Sequence, residues 1–482
     1  MALTPGGSLN LTPASIKATL NTNYLDFTGT TDTTWAQQYL PDLMEKEAEV
    51  FGNRTISGFL SQVGAEESMA ADQVVWSEQG RLHLTYTCTV TDASANLVTI
   101  NDHIDTNAVY ASASHGIRIG DTVILSTATK TVKAVITALP GAETLTVAPY
   151  NSNDLADTRI AMADADTAVI MVYGSEFAKG TAGQTTANEP SFKSYSNKPI
   201  IIKDYYEVSG SDTSKIGWVE VSGEQGQNGY LWYLKAEGDT RARFNDYLEM
   251  SMIESVKGSN DNVVDTYLDN AGGSVGTEGM FAAIEDRGNI TTGVDGTDVT
   301  TDLAEFDLIL AEFDKQGSIE ENMLFLNRKT SLAFDDMLAA INGGYAGGSS
   351  FGVFDNSEDM ALNLGFSGFR RGSYDFYKSD WKYLNDKGTR GSINDKDTVG
   401  AVRGVIIPAG VSSVYDQQLG KNLKRPFLHV RYRASNLESR KMKTWTTGSV
   451  GAATTDIDKM GIHFLSERCL IVQGANNFMM MK

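Results

Sequence analysis

From residue 82 to residue 173 the sequence shows no helical period. Short β-rich runs follow one another instead: LHLTYTCTV, LVTI, IRIGDTVILS, KTVKAVITAL, ETLTVAPY and TAVIMVYG. Gly, Pro, Asn and Asp turns separate them at close spacing, the pattern of a small all-β sandwich or barrel. Consecutive strands with short turns can close a core without distant sequence, so the segment reads as one inserted all-β domain. It carries four basic residues (Arg118, Lys130, Lys133, Arg159) against nine acids, and that net −5 suits solvent exposure.

The flanks are of another kind. Residues 1–55 read as an arm: Thr- and Asn-rich at first, then WAQQYLPDLMEKEAEVFG, where Leu40, Leu43, Met44, Glu47 and Phe51 form one face of a short helix. Residues 55–82 read as a strand, a polar loop and a second strand, and GSEFAKGTAGQTTANEP as a flexible loop. KPIIIKDYYEVSG and GWVEVSG are strand candidates. A long helix is expected from Glu224 to about Val256, with Tyr230, Leu234, Phe244, Leu248 and Met252 recurring along it. At ~1.5 Å per residue it spans on the order of 45 Å. Beyond Gly258 the pattern is mixed. DLAEFDLILAEFDKQG is a helix with Asp302 as its expected cap, Glu305 three residues on, and Phe306, Ile309, Leu310 and Phe313 as its apolar face. MLFLN is a buried strand, and TSLAFDDMLAAING a helix stopped by Gly343. SYDFYKSD, AVRGVIIPAG, PFLHVRYR and ERCLIVQG return to strand, so the class is α+β.

Composition excludes several functions. With 41% hydrophobic and 21% charged residues, a chain of 482 can bury a core. Its net charge of −21 argues against a broad duplex-binding face, which needs clustered positive charge. Cys88 and Cys469 cannot build a disulfide framework, and no Cys/His spacing points to zinc. The N-terminal residues lack the pattern of a signal peptide, and no apolar run approaches the ~18 residues of a membrane span. A soluble, reducing compartment is the expectation.

No pattern of catalysis stands out either. GGSVG at Gly272–Gly276 matches G-x-S-x-G with Ser274 as nucleophile, but Asp265, Asp269 and Asn270 interrupt the strand that should precede it. A Gly-rich loop is the plainer reading. GGYAGGSSFG lacks the Gly-Lys-Ser/Thr ending of a phosphate loop. Asp295, Asp298 and Asp302, like Asp395 and Asp397, miss the spacing of a calcium loop and read as solvated turns. The five histidines, at 83, 103, 115, 429 and 463, form no i, i+4 pair. No enzymatic activity, cofactor or metal is expected.

The electrostatic exception lies between Lys421 and Lys443. Lys421, Lys424, Arg425, Arg431, Arg433, Arg440, Lys441 and Lys443 face one acid, Glu438, for a local +7. Such a run is a charge-guarded strand edge, a contact to an acidic neighbouring subunit, or a surface facing nucleic acid. The acidity of the whole favours the subunit contact. Alternation in PFLHVRYR places Phe427, His429, Arg431 and Arg433 on one face, with Leu428, Val430 and Tyr432 on the buried one.

The order of parts, together with EGMFAAIEDRGNIT from Glu278, FDLILAEFDKQGSIEENMLFLNRKTSLAFDDMLAAING from Phe306 and the closing RCLIVQGANNFMMMK, resembles the major capsid proteins of tailed bacteriophages of the Hong Kong 97 fold. The local wording is similar to capsid proteins of podophages, the crAss-like group among them. The resemblance covers most of the chain outside 82–173. It implies an N-terminal arm at 1–55, an extension loop at 56–81 and 174–203, and the β insertion at 82–173 near the tip of that loop. It further implies a peripheral domain with a spine helix at 204–258 and 417–482, and an axial domain at 259–416. The implied function is self-assembly into hexamers and pentamers of an icosahedral shell enclosing double-stranded DNA. The implied partners are further copies of the chain, portal, scaffolding and auxiliary or decoration proteins, and DNA touched weakly and without sequence preference, with no membrane. The implied location is the virion, after assembly in the host bacterial cytoplasm. No long charged helical run precedes the arm, so a separate scaffolding protein or a mature chain is expected. The alternatives are an encapsulin-like nanocompartment shell, a β-rich virion-surface adhesin, and a hydrolase built on Ser274.

Overall fold

The computed structural model describes residues 65–80, 83–103, 115–188, 192–213, 220–222, 228–258, 263–269, 276–296, 298–316, 319–344, 368–395, 400–409, 411–416, 421–450 and 453–482. The expected arm at 1–55, its helix and Ser274 lie outside them.

Each of the six β-rich runs is a strand, and the six close into a barrel. Around the barrel, Thr85–Asp92 is followed by Leu97–His103, Thr144–Pro149, Thr131–Ala138, Asp121–Thr127 and Thr167–Ser175, which returns to the first. Period-two burial drives closure: Val132, Ala134 and Ile136 point inward from one strand, Leu145 and Val147 from the next. The first turn shows why its residues are there. The Asp92 carboxylate accepts the amides of Ser94 (3.0 Å) and Ala95 (2.9 Å), and Asn96 takes the left-handed conformation (φ 59°) that Asn tolerates. The last strand runs to Ser175, so the expected boundary at 173 falls inside it. The segment after it, expected to be flexible, is tied to the barrel: the Gln184 amide donates to Asp121 Oδ1 (2.9 Å), and Arg118 donates to the Thr186 carbonyl (3.1 Å).

Val74–Gln79 and Phe192–Asn197, on either side of the barrel in sequence, pair antiparallel. Asn197 is fully buried at the end of this ribbon. Its amide donates to the carbonyls of Glu278 (3.0 Å) and Leu470 (2.6 Å), and its oxygen accepts the Glu278 amide (2.9 Å). The Arg287 guanidinium lies over the rings of Tyr195 (4.4 Å) and Trp76 (5.7 Å) and pairs with Glu278 at 2.6 Å.

Two larger sheets carry the rest. A five-stranded sheet orders Ala65–Met69, Leu428–Arg433, Lys459–Val472 and Ile200–Ser209, with Lys443–Gly448 also on the long strand. A six-stranded sheet orders Asn289–Thr291, Met479–Met481, Gly404–Pro408, Glu321–Leu326, Tyr374–Asp380 and Gly368–Arg371. The helices Val299–Gln316 and Arg328–Gly344 contribute to its core, where the Phe306 ring lies 5.5 Å from Phe334, 5.7 Å from Phe369 and 5.3 Å from Phe376. Asn327 caps the second of these helices by accepting the Thr330 amide at 2.7 Å.

Two sequence expectations need correction here. The long helix is Leu231–Glu254, 24 residues, and does not begin at Glu224. Asn228–Tyr230 pairs as a strand with Glu220–Ser222, which holds the chain extended up to the helix start. Phe244, Leu248, Met252 and Ile253 are its buried face. Asp302 is not a cap either, because its helix starts at Val299. It sits one turn in, where its carboxylate reaches back to the amides of Asp295 (3.1 Å) and Gly296 (3.4 Å), while Glu305 accepts the Val294 amide (2.9 Å).

The chain divides into two compact units. The described residues of one fall within 205–243 and 445–463; the other holds the barrel and the rest. In the first, His463 is stacked on Trp445 (5.0 Å, 9°) and lies 4.6 Å from the ring of Tyr205, with its Nε2 2.8 Å from the Thr447 hydroxyl.

Candidate functional site

The basic stretch is the contact site named from the sequence, and five of its eight cations have described side chains. Its first part, Lys421–Pro426, forms a hairpin with Val411–Asp416, in which Lys421 lies opposite Asp416. The side chains of Lys421, Lys424 and Arg425 lie outside the described set. The next part, Leu428–Arg433, is a central strand, parallel to Ala65–Met69 on one side and antiparallel to Lys459–Val472 on the other. That position overrides the expected alternation. His429, placed on the charged face by the pattern, is only 1% exposed. A central strand that is covered on both faces at its start has no solvent side there.

The remaining five cations each meet a carboxylate of the same chain. Arg431 lies opposite Glu67 in the parallel pair and bonds it at 2.9 Å. Arg433 bonds Asp72 and also Glu467, the latter at 2.6 Å. Arg440 reaches the same Glu467 at 3.0 Å, so one buried carboxylate is clamped by two guanidiniums. Lys441 pairs with Glu66, and Lys443 with Glu438 at 2.7 Å. The hydrogen bond that Arg433 donates to Asp72 raises its pKa, burial opposes the rise and the bond donated to Glu467 adds to it, while the Lys443 ammonium holds the Glu438 carboxyl below its usual range. The sequence argument sought acid from neighbouring copies. Here Glu66, Glu67, Asp72, Glu438 and Glu467 supply it within the chain.

One member of this cluster escaped sequence reading. Arg468 is 7% exposed; its Nε donates to the Ser466 hydroxyl (2.9 Å) and its Nη2 to the Lys441 carbonyl (2.8 Å). Burial lowers its pKa, opposed by the charges of Glu66 and Glu249. The signal was present in the Ser-Glu-Arg interruption of an otherwise apolar run, since charge on a buried strand needs a partner.

Ser274, the nucleophile of the candidate catalytic motif, lies outside the described residues. Among the described residues, no group of three or more His, Cys, Asp or Glu could hold a metal ion. Gly276, the last residue of GGSVG, has φ 66°, and a Cβ there would lie 2.3 Å from the Val256 carbonyl oxygen. The left-handed φ and the close carbonyl account for a glycine here. Burial raises the thiols of Cys88 and Cys469 to about 12, the opposite of what a nucleophile needs. Among the described residues, no helix is long and apolar enough to cross a membrane.

An α+β chain with a closed barrel, a two-stranded ribbon and two sheets joined by the closing segment can be set beside known proteins. No family model and no curated protein matches the sequence. Among solved structures, it is similar to the capsid of a native GTA particle, with 10% identity and a TM-score of 0.39 over 94% of this chain and 99% of that one. It is also similar to a structure described as Microbacterium phage Oxtober96 (9% identity, TM-score 0.39, 91% of this chain and 96% of that one). A third is the cyanophage Pam1 capsid asymmetric unit (11% identity, TM-score 0.34, 64% and 82%).

Proposed function

We propose that this chain is a shell-forming structural protein, a tailed-phage major capsid protein of the Hong Kong 97 type. The observation that carries the reading is the path of the closing segment. Lys459–Val472 lies in the five-stranded sheet, and Met479–Met481, a few residues on, lies inside the six-stranded one. The order is thus ribbon, sheet strand, long helix, mixed α/β body and return, as the sequence resemblance implies; the one departure is the last strand, which the resemblance leaves in the peripheral domain of 417–482 and which ends inside the six-stranded sheet. On this reading the ribbon is the extension loop, the barrel its insertion, Leu231–Glu254 the spine helix and the six-stranded sheet the axial domain. The chain's work is assembly, with no catalysis assigned to it. Copies form hexamers and pentamers of a shell around double-stranded DNA, with portal and scaffolding proteins as partners and the virion as location.

Electron microscopy of the chain expressed and purified alone tests this. Closed shells or rings of five and six copies are expected. A chain that stays monomeric over the whole accessible concentration range overturns the reading.

A further inference from the structure

The six-stranded sheet ends at Asn289–Thr291, and that edge is open among the described residues. In its parallel pairing with Met479–Met481, the Asn289 amide donates to the Phe478 carbonyl (3.0 Å) and the Lys482 amide to the Thr291 carbonyl (2.9 Å). Residues 289 and 291 therefore face inward, and the amide and carbonyl of Ile290 point to the open side. The Ile290 side chain is 49% exposed, and Leu308 on the neighbouring helix is 70% exposed. Both line a cleft of ≈ 470 Å³, with Glu305 and Glu312 among its other walls. An unpaired strand edge beside exposed apolar side chains and carboxylates is built to take an added strand with apolar and basic residues in alternation.

The same chain carries such a strand. Ile200–Ser209 is the terminal strand of the five-stranded sheet among the described residues. Its outward residues begin with Ile201, 50% exposed, and Lys203, also exposed, two positions later. We propose that this edge of one copy adds to the Asn289–Thr291 edge of a second copy. Ile201 then packs against Ile290 and Leu308, and Lys203 faces Glu312. The two surfaces differ, so the contact is heterologous, the kind that generates a ring when its rotation closes. The inference rests on the shell reading and specifies one contact within it. Glu312 already holds Lys315 at 3.0 Å, an exposed i, i+3 pair weak enough to be shared with a second cation.

The test is the concentration at which the purified full chain forms multimers, read by mass photometry. Ile290→Pro removes the outward amide and the Ile290 side chain, and leaves both bonds to the inner strand. Lys203→Glu and Glu312→Lys each reverse one charge. Each substitution is expected to raise the half-assembly concentration about tenfold, and the double reversal to restore it. Thermal unfolding near that of the parent excludes misfolding; were Ile290→Pro to unfold, the charge-reversal pair decides alone. A parent that assembles with variants that assemble alike overturns this contact only. A parent that never assembles overturns the contact and the shell reading together.

Discussion

The barrel and the body around the two sheets draw their cores from different amounts of chain. The barrel core runs from Tyr86 to Ile170, all within one continuous stretch. The body core joins Met252, Phe281, Phe325, Trp381, Leu428 and Met480, residues scattered over nearly half the sequence. In the six-stranded sheet, Met479–Met481 lies between Asn289–Thr291 and Gly404–Pro408, so the sheet is incomplete until the last residues arrive. The barrel should close early and alone, and the body late and as a whole.

The largest expected effect tests that independence. Phe306 and Leu125 are both 0% exposed, one at the centre of the body's aromatic cluster and one in the barrel. Phe306→Ala should cost the body about 3–5 kcal/mol, and Leu125→Ala should cost the barrel about 2–5 kcal/mol. Calorimetry of each variant should show two transitions, only one of which moves. A single transition shifted by both substitutions would break the distinction.

The second effect sharpens it through charge. Glu467 holds Arg433 and Arg440, which come from the stretch that the sequence suggested for contact between subunits. Glu467→Gln should lower the stability of the isolated body by about 1.5–3 kcal/mol, with the barrel transition unmoved. An unchanged monomer with impaired assembly would instead return those cations to a neighbouring copy.

The same contrast governs what could be read from sequence. Every barrel strand was legible, because its period of two, its turns and its partners lie within a few residues of one another. The body's helices at 299–316 and 328–344 were legible for the same local reason. What was not legible depends on distant pairing. Nothing near His429 says that Leu428–Arg433 sits between Ala65–Met69 and Lys459–Val472, and without that the residue reads as exposed. The late start of the long helix follows from the pairing of Asn228–Tyr230 with Glu220–Ser222, which propensity cannot express. The charge stretch is legible, but nothing near it says that Glu66, Glu67 and Asp72, from the other end of the chain, lie beside it.

The smallest expected effect concerns Asp302, which the sequence placed at a helix cap and the structure places inside the body. It is 1% exposed; one carboxylate oxygen accepts the Asp295 and Gly296 amides, and the other has no hydrogen-bond partner among the described residues. Burial pushes its pKa above 3.8, with the charges of Asp295 and Glu305 adding to the rise and the two backbone bonds opposing it. The folded state therefore holds this proton more tightly than the unfolded chain does. Its contribution to stability falls as pH rises from 3.8 through the raised folded value, and is constant above that. Asp302→Asn keeps an oxygen for the two amides and cannot ionise. Urea unfolding at about pH 4 and about pH 7 should show the parent's body losing more stability on the way up than the variant's, with the barrel transition alike in both. Equal pH dependence in parent and variant would mean that the Asp302 carboxyl is solvated after all, and that the body's core opens locally at this loop where the barrel's does not.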